Sequence, residues 1–327
     1  MDIGTIHRAQ RLKEYIWDNV EVGEEYGPVE GIVSDHHVKN HAYATDDYAR
    51  WYFEDSPEFG GRIAPPMLLA NDILRLFLLA YDSTNFSSGL HARNEVWFFS
   101  PIYVGQGVTI RGKNIEKYQK RGNNYRVLEG EVLNNTGKLL LRMRAVETVG
   151  LYADSKVGQR SGEPARNVIT GEVPPGSPVV SRASCHVPEG AVLPSLVKHA
   201  SLPQSIVFSG FPFGWVEGSA STMRHCIHTV PEEAQRRGQP GVIVQGLMSK
   251  AYLAELCMKF YGPGWLTTGH ISVAFIRPVI ARDTITACGM AKRVFQESGE
   301  TRIELDLWCK NQRQELITVG HATGPAA

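Results

Sequence analysis

The chain has 327 residues, 43% of them hydrophobic and 21% charged, with 34 basic residues balancing 34 acidic ones. This is ordinary globular material, long enough for two domains, and its zero net charge gives no electrostatic reason to expect nucleic acid or an anionic membrane as partner. The opening Met1-Asp-Ile-Gly-Thr-Ile-His7 lacks the basic start and apolar run of a secretory signal, and no apolar run approaches the roughly 20 residues of a membrane span.

Five scattered cysteines, Cys185, Cys226, Cys257, Cys288 and Cys309, are odd in number and fit reduced thiols in a cytoplasmic protein. Residues 1–30 carry helical spacing at Ala9, Leu12, Tyr15 and Ile16, and Gly27-Pro-Val-Glu-Gly-Ile-Val33 then reads as a short strand. Ser34 predicts the N-cap of a helix over 35–44, because its hydroxyl can accept from the first amides and Asp35 suits the first turn. The polar Thr45-Asp-Asp-Tyr-Ala-Arg-Trp-Tyr-Phe53 leads to Glu58-Phe-Gly-Gly-Arg-Ile-Ala-Pro-Pro-Met-Leu-Leu69 and on to Ala80, which reads as a buried helix approached through glycines. Period-two or β-rich runs follow at 94–99, 107–118, 125–133 and 138–149, and Asn134-Asn-Thr-Gly137 predicts a hairpin because Asn and Gly tolerate positive φ. Residues 151–180, rich in Gly, Pro and Ser, predict a linker.

The second half repeats the programme. Ser201 opens a capped helix, a polar segment ends in His225-Cys-Ile-His228, and Gly238-Gln-Pro-Gly241 leads into a nearly all-apolar helix over 242–260 with Gly246 one turn in. Strands are expected at 270–276, 283–294, 301–310 and 315–321. Gly61 stands opposite Gly241, Ile63 opposite Ile243, Phe99-Ser-Pro-Ile opposite Ile276-Arg-Pro-Val, and Asn135 opposite Asn311. The pattern implies a duplicated unit: an N-terminal repeat over 1–150, a linker over 151–180 and a C-terminal repeat over 181–327.

The chemistry concentrates at the start of the 242–260 helix. The first N–H groups of a helix lack intrahelical partners, and with the positive end of the dipole they can stabilise negative charge developing on a carbonyl oxygen. His228, just upstream, can move a proton. His225-x-x-His228 with Cys226 has no second ligand cluster of suitable spacing, so neither metal nor cofactor is expected.

These motifs, Phe59-Gly-Gly-Arg-Ile-Ala-Pro-Pro-Met-Leu-Leu69 in one half and Ile227-His228 before Pro240-Gly-Val-Ile-Val-Gln-Gly-Leu-Met248 in the other, resemble the MaoC-like dehydratase and R-specific enoyl-CoA hydratase family. The resemblance covers nearly all of both halves and implies an α+β double hot-dog fold, each repeat a buried central helix wrapped by an antiparallel sheet. It further implies a hydro-lyase acting on a 2-enoyl or 3-hydroxyacyl thioester of coenzyme A or an acyl carrier protein, with a homodimer as candidate assembly. In that family an Asp and a His five positions apart act on one water, and an amide at the helix start polarises the thioester carbonyl.

This sequence departs from the pattern in both halves. Met223 stands five residues before His228, and Tyr52 stands where a His would follow Asp47. The C-terminal half is the expected live site, with His228 as acid/base and Glu217, Ser219 or His225 as candidate substitutes for the missing carboxylate. Asp47 and Tyr52 are the remnants of the other motif, expected at a separate end of the interface between repeats. Gly241, Val242 and Gly246 are expected to bind the thioester, and Phe211, Phe213 and Trp215 to wall the acyl chain. The alternatives are an isomerase or cyclase on the same scaffold, which needs only His228 and the helix start, and a non-catalytic acyl-thioester-binding subunit.

Overall fold

The computed structural model describes residues 12–82, 89–150, 169–210, 226–236 and 238–326. In order the elements are β1 (Lys13–Glu14), β2 (Glu25–Ile32), α1 (Asp35–Thr45), α2 (Leu68–Arg75), β3 (Tyr81–Asp82), β4 (His91–Phe98), β5 (Gly107–Lys120), β6 (Asn123–Asn134) and β7 (Leu139–Val149). Then come β8 (Leu196–His199), α3 (Leu202–Gly210), α4 (Pro231–Arg236), β9 (Ile243–Val244), α5 (Gly246–Tyr261), α6 (Trp265–Thr268), β10 (His270–Phe275), β11 (Val279–Ile280), β12 (Thr284–Glu297), β13 (Glu300–Lys310) and β14 (Leu316–Pro325).

The alternating runs of both halves join into one antiparallel sheet of ten strands, ordered β2-β5-β6-β7-β4-β10-β14-β13-β12-β8. Five strands come from each half, and the order mirrors about the centre, where β4 pairs with β10 (Trp97 opposite His270, Asn94 opposite Val273). Helices α2 and α5 press on the inner face. Each approaches a glycine of the sheet: a Cβ at Gly112 would come 3.0 Å from Leu76, just past the end of α2, and one at Gly289 would come 3.1 Å from Leu256 of α5. In the alignment that sets Gly61 opposite Gly241, Leu76 stands opposite Leu256, so the repeats share this close approach of helix to strand. Along α5 only Gly246 and Lys259 escape full burial.

Local chemistry explains the helix starts. Ser34 Oγ accepts from His37 N–H at 3.1 Å. At α3 the capping is reciprocal: Ser201 Oγ accepts from Gln204 N–H at 3.3 Å, and Gln204 Oε1 accepts from Ser201 N–H at 3.1 Å.

Several expectations need correction. The stretch at Leu12–Ile16 is not helical: Lys13–Glu14 pairs in parallel with Tyr81–Asp82, and Tyr15 is buried against the rings of Phe77 and Tyr81. Ala9 lies outside the described residues. The run from 58 to 80 is helical only over α2 and a following 3-10 turn (Leu76–Leu79). Pro65 and Pro66 precede α2, and the Pro65 carbonyl accepts from Leu68 N–H at 3.0 Å.

The helix expected from Val242 starts at Gly246, because Ile243–Val244 pairs with Val279–Ile280 as a short ribbon. The hairpin equivalence is Asn134 with Asn311, not Asn135: each donates its N–H to the residue four on and offers Oδ1 to the amides two and four on. Residues 169–180, within the stretch read as linker, lie against the C-terminal half, with Val180 N–H bonded to Val192 O at 2.9 Å and Gly171 packed among Trp308, Lys310 and Leu316.

Candidate active site

His228 is held from two sides. Its carbonyl accepts from Ser205 Oγ at 2.8 Å, and its Nδ1 lies 2.6 Å from the carbonyl oxygen of Ile243. A carbonyl can only accept, so Nδ1 carries the hydrogen and, in the neutral ring, the basic lone pair is at Nε2. The strand pairing that shortened α5 is what presents the Ile243 carbonyl to the ring: Ile243 N–H in turn bonds Ile227 O at 2.9 Å.

One residue past this ribbon is Gln245, buried, with its Nε2 donating to Ser209 Oγ at 2.7 Å and its carbonyl accepting from Met248 N–H at 2.9 Å. The amino end of α5 is thereby fixed, with Gly246 and Leu247 in its first turn. Gly246 is required by a close approach: a Cβ there would stand 2.9 Å from the Phe275 ring. Ser249 Oγ donates back to Gly246 O at 2.8 Å and lies 2.7 Å from Thr318 Oγ1, tying the first turn of the helix to the sheet.

His228, Gly246, Leu247 and Ser249 line a pocket of about 450 Å³. Its opposite wall belongs to the other half: Leu74, Arg75 and Leu78 around the end of α2, and His91 and Glu147 from the sheet. Glu147 is bound by the fully buried Arg126, whose guanidinium lies 4.3 Å from the centre of the Phe77 ring. Burial, helped by the Lys250 ammonium, pushes His91 down to about 3, so it is neutral at physiological pH.

Asp47 and Tyr52 lie elsewhere. Asp47 follows α1, is 6% exposed, and accepts from Ala49 N–H at 3.3 Å. Burial first and the Glu255 carboxylate second push it up to about 7, against the opposing pull of Lys198 and Lys259. Lys198 also donates to the carbonyl of Asp46. Tyr52 is fully buried, and burial with the neighbouring Asp47 charge raises its phenol well above the ordinary value. Neither residue lines the pocket that holds His228.

Gly241 and Val242 directly precede β9, where Val242 O accepts from Ala281 N–H at 2.8 Å and a Cβ on Gly241 would come 3.0 Å from Ile280; neither lines the pocket. His225, Glu217, Ser219, Phe211, Phe213 and Trp215 lie outside the described residues. Sequence reasoning passed over Arg75, His91, Glu147 and Gln245. A signal existed for two of them: Asn71, Asp72 and Arg75 are polar residues on an otherwise apolar helix, and Glu147 continues the inward-facing series Met143, Ala145.

Two repeats sharing one sheet, each with a central helix, and a pocket at the junction of the repeats make this a double hot-dog fold. Residues 21–143 match the sequence model of the FAS1-like dehydratase domain region. A MaoC-like dehydratase structure superposes with a TM-score of 0.69 at 18% identity, covering 94% of this chain and 98% of that one. A MaoC-like dehydratase from Phytophthora capsici gives 0.62 at 15% identity (95% and 97% covered), and a Mycobacterium tuberculosis protein described as a double hotdog fold gives 0.62 at 13% (96% and 98%). No curated protein sequence matches the chain. Among the described residues no helix is long and apolar enough to cross a membrane, and the five cysteines form no disulfide.

Proposed function

We propose that the protein adds water to, or removes it from, the 2,3-position of an acyl thioester, with His228 as the acid/base and the amino end of α5 as the oxyanion site. One observation carries this reading: the Nε2 lone pair of His228, fixed by the Nδ1 bond to Ile243 O, and the first turn of α5 belong to a single pocket. In hydration, Nε2 takes a proton from water as the water oxygen bonds to C3. The electrons of the C2–C3 double bond move onto the thioester oxygen, where the Gly246 and Leu247 end of the helix stabilises them. The imidazolium then returns its proton to C2, so one histidine balances the reaction, and a carboxylate at the position of Met223 is not demanded by proton count. Dehydration is the reverse.

The test is mass spectrometry of the protein incubated with a panel of enoyl- and 3-hydroxyacyl-CoAs, wild type beside His228→Ala. A gain or loss of one water that disappears in the variant supports the reading. Turnover at unchanged mass transfers it to an isomerase, and binding without turnover to a non-catalytic acyl-thioester subunit.

A further inference from the structure

Two serines of α3 hold two residues of the pocket. Ser205 and Ser209, one helical turn apart and both fully buried, lie on one face of that helix. Ser205 Oγ donates to the His228 carbonyl at 2.8 Å, and Ser209 Oγ accepts from Gln245 Nε2 at 2.7 Å. The β9 segment ties the same pair from the other side, since the Ile243 carbonyl, 2.6 Å from His228 Nδ1, belongs to the residue two before Gln245. His228 and Gln245 are thereby fixed to each other through both the helix and the ribbon.

The amide of Gln245 is committed at one end only. Gln245 stands at the N-cap position of α5, yet its side chain makes no capping bond to that helix. Nε2 is taken by Ser209, whereas Oε1 accepts no hydrogen bond among the described residues and is not sealed from solvent, and the residue lines the same pocket as His228. An amide oxygen has two lone pairs and no proton to give, so what it offers to the pocket is an acceptor. In the alignment that sets Gly61 opposite Gly241, Pro65 stands opposite Gln245, so the repeat that carries Asp47 has no such group ahead of its helix.

We propose that Gln245 is a catalytic residue that positions the reacting water: Oε1 accepts one hydrogen of the water while His228 Nε2 takes the other. The inference rests on the hydratase reading and supplies a second acceptor for the water, where Met223 replaces a carboxylate. With both hydrogens directed at fixed acceptors, a lone pair of the water oxygen is turned toward C3. As the O–C3 bond forms, the hydrogen facing His228 leaves for Nε2, and the one facing Gln245 stays on oxygen as the 3-hydroxyl of the product. In dehydration the same bond holds the 3-hydroxyl in line with the imidazolium that protonates it. The amide itself gains and loses no proton.

The experiment follows hydration by loss of the enoyl absorbance between about pH 5 and 9, with the full chain and the 2-enoyl-CoA that wild type turns over fastest, in wild type, Gln245→Met and Gln245→Glu. Thermal melts and calorimetric binding of the saturated, unreactive acyl-CoA run beside it. Gln245→Met keeps the length of the side chain and loses the acceptor; kcat is expected to fall about 10- to 100-fold, with KM and binding within about 3-fold of wild type. Gln245→Glu keeps an acceptor, to which the Ser209 hydroxyl can turn and donate. Its kcat should rise with pH through one ionisation absent from the wild-type profile and reach within about 10-fold of wild type at the alkaline end. A role confined to holding Ser209 leaves the pH profile of both variants the same as wild type, and that result overturns the inference, as does a folded Gln245→Met with wild-type kcat. Where Gln245→Met does not fold, the profile of Gln245→Glu decides alone. Turnover that is lost in His228→Ala but kept in both Gln245 variants sinks this inference and leaves the hydratase reading; no turnover of any enoyl-CoA by wild type removes both.

Discussion

Lys198 and Glu255 meet at 2.7 Å with both side chains less than a tenth exposed, joining the edge strand β8 to the middle of the buried helix α5. Glu255 takes a second lysine, Lys259, one helical turn on, and the group lies beside Asp47. The region around Asp47 is thus filled by charge that is paired within the protein.

Removing one partner leaves the others stranded in a dry interior. Glu255→Gln is expected to cost about 3–5 kcal/mol of stability, whereas the double replacement Lys198→Met with Glu255→Leu should fall within about 2 kcal/mol of wild type. Urea denaturation of the three proteins measures this. A single variant as stable as wild type would show that the pair contributes nothing.

Asp47 gives the fold a pH signature. Its carboxyl titrates near 7 when folded and near the ordinary carboxylate value of about 4 when unfolded. Between those values unfolding releases a proton, so this group's contribution to stability is most favourable below about pH 4, declines as pH rises, and is fully lost above about 7. The Asp47→Asn variant should match wild type near pH 4 and exceed it at pH 8, by on the order of a few kcal/mol at about 1.4 kcal/mol per unit. Denaturation midpoints at the two pH values provide the check; identical pH dependence in both proteins would contradict the assignment.

His228→Ala should lower kcat by about 10²- to 10⁴-fold, the usual range for a positioned acid/base. Its melting temperature should change little, because the hydrogen bond to Ile243 O is worth about 1 kcal/mol. Rates and thermal melts on the same preparation separate the two effects, and a variant that keeps wild-type turnover would exclude His228 from the chemistry.

Gly246→Ala drives a methyl into the Phe275 ring and is expected to destabilise by about 1–3 kcal/mol while reducing kcat more than it alters KM. Adding Phe275→Leu opens the space and should restore much of both. If the double variant is as impaired as the single one, crowding against Phe275 is not the reason for glycine at this position.

The architecture was legible because it is written twice. Alternating runs that recur after each apolar helix, with glycines at matched places, can be read from one chain, and the strands follow closely. The helix expected from Val242 begins only at Gly246, because a short apolar ribbon such as Ile243–Val244 has the same local composition as the helix it precedes. His228 stood out by its neighbours in sequence. Arg75 and Glu147 did not, since they reach the pocket from the other repeat and only the central β4–β10 pairing brings them there. Nothing local to His228 announces them.

That pairing also decides what a shortened protein would be. A chain cut down to residues 169–326 would retain His228, the ribbon and α5, yet β10 would become a bare sheet border from His270 to Phe275, with Ile271 and Val273 on its inward side. Unpaired N–H and C=O groups along such a border recruit whatever strand is at hand. The fragment would clump or form a dimer of its own through that border, rebuilding a floor beneath the histidine from a second copy but without the opposite wall that Arg75, His91 and Glu147 supply.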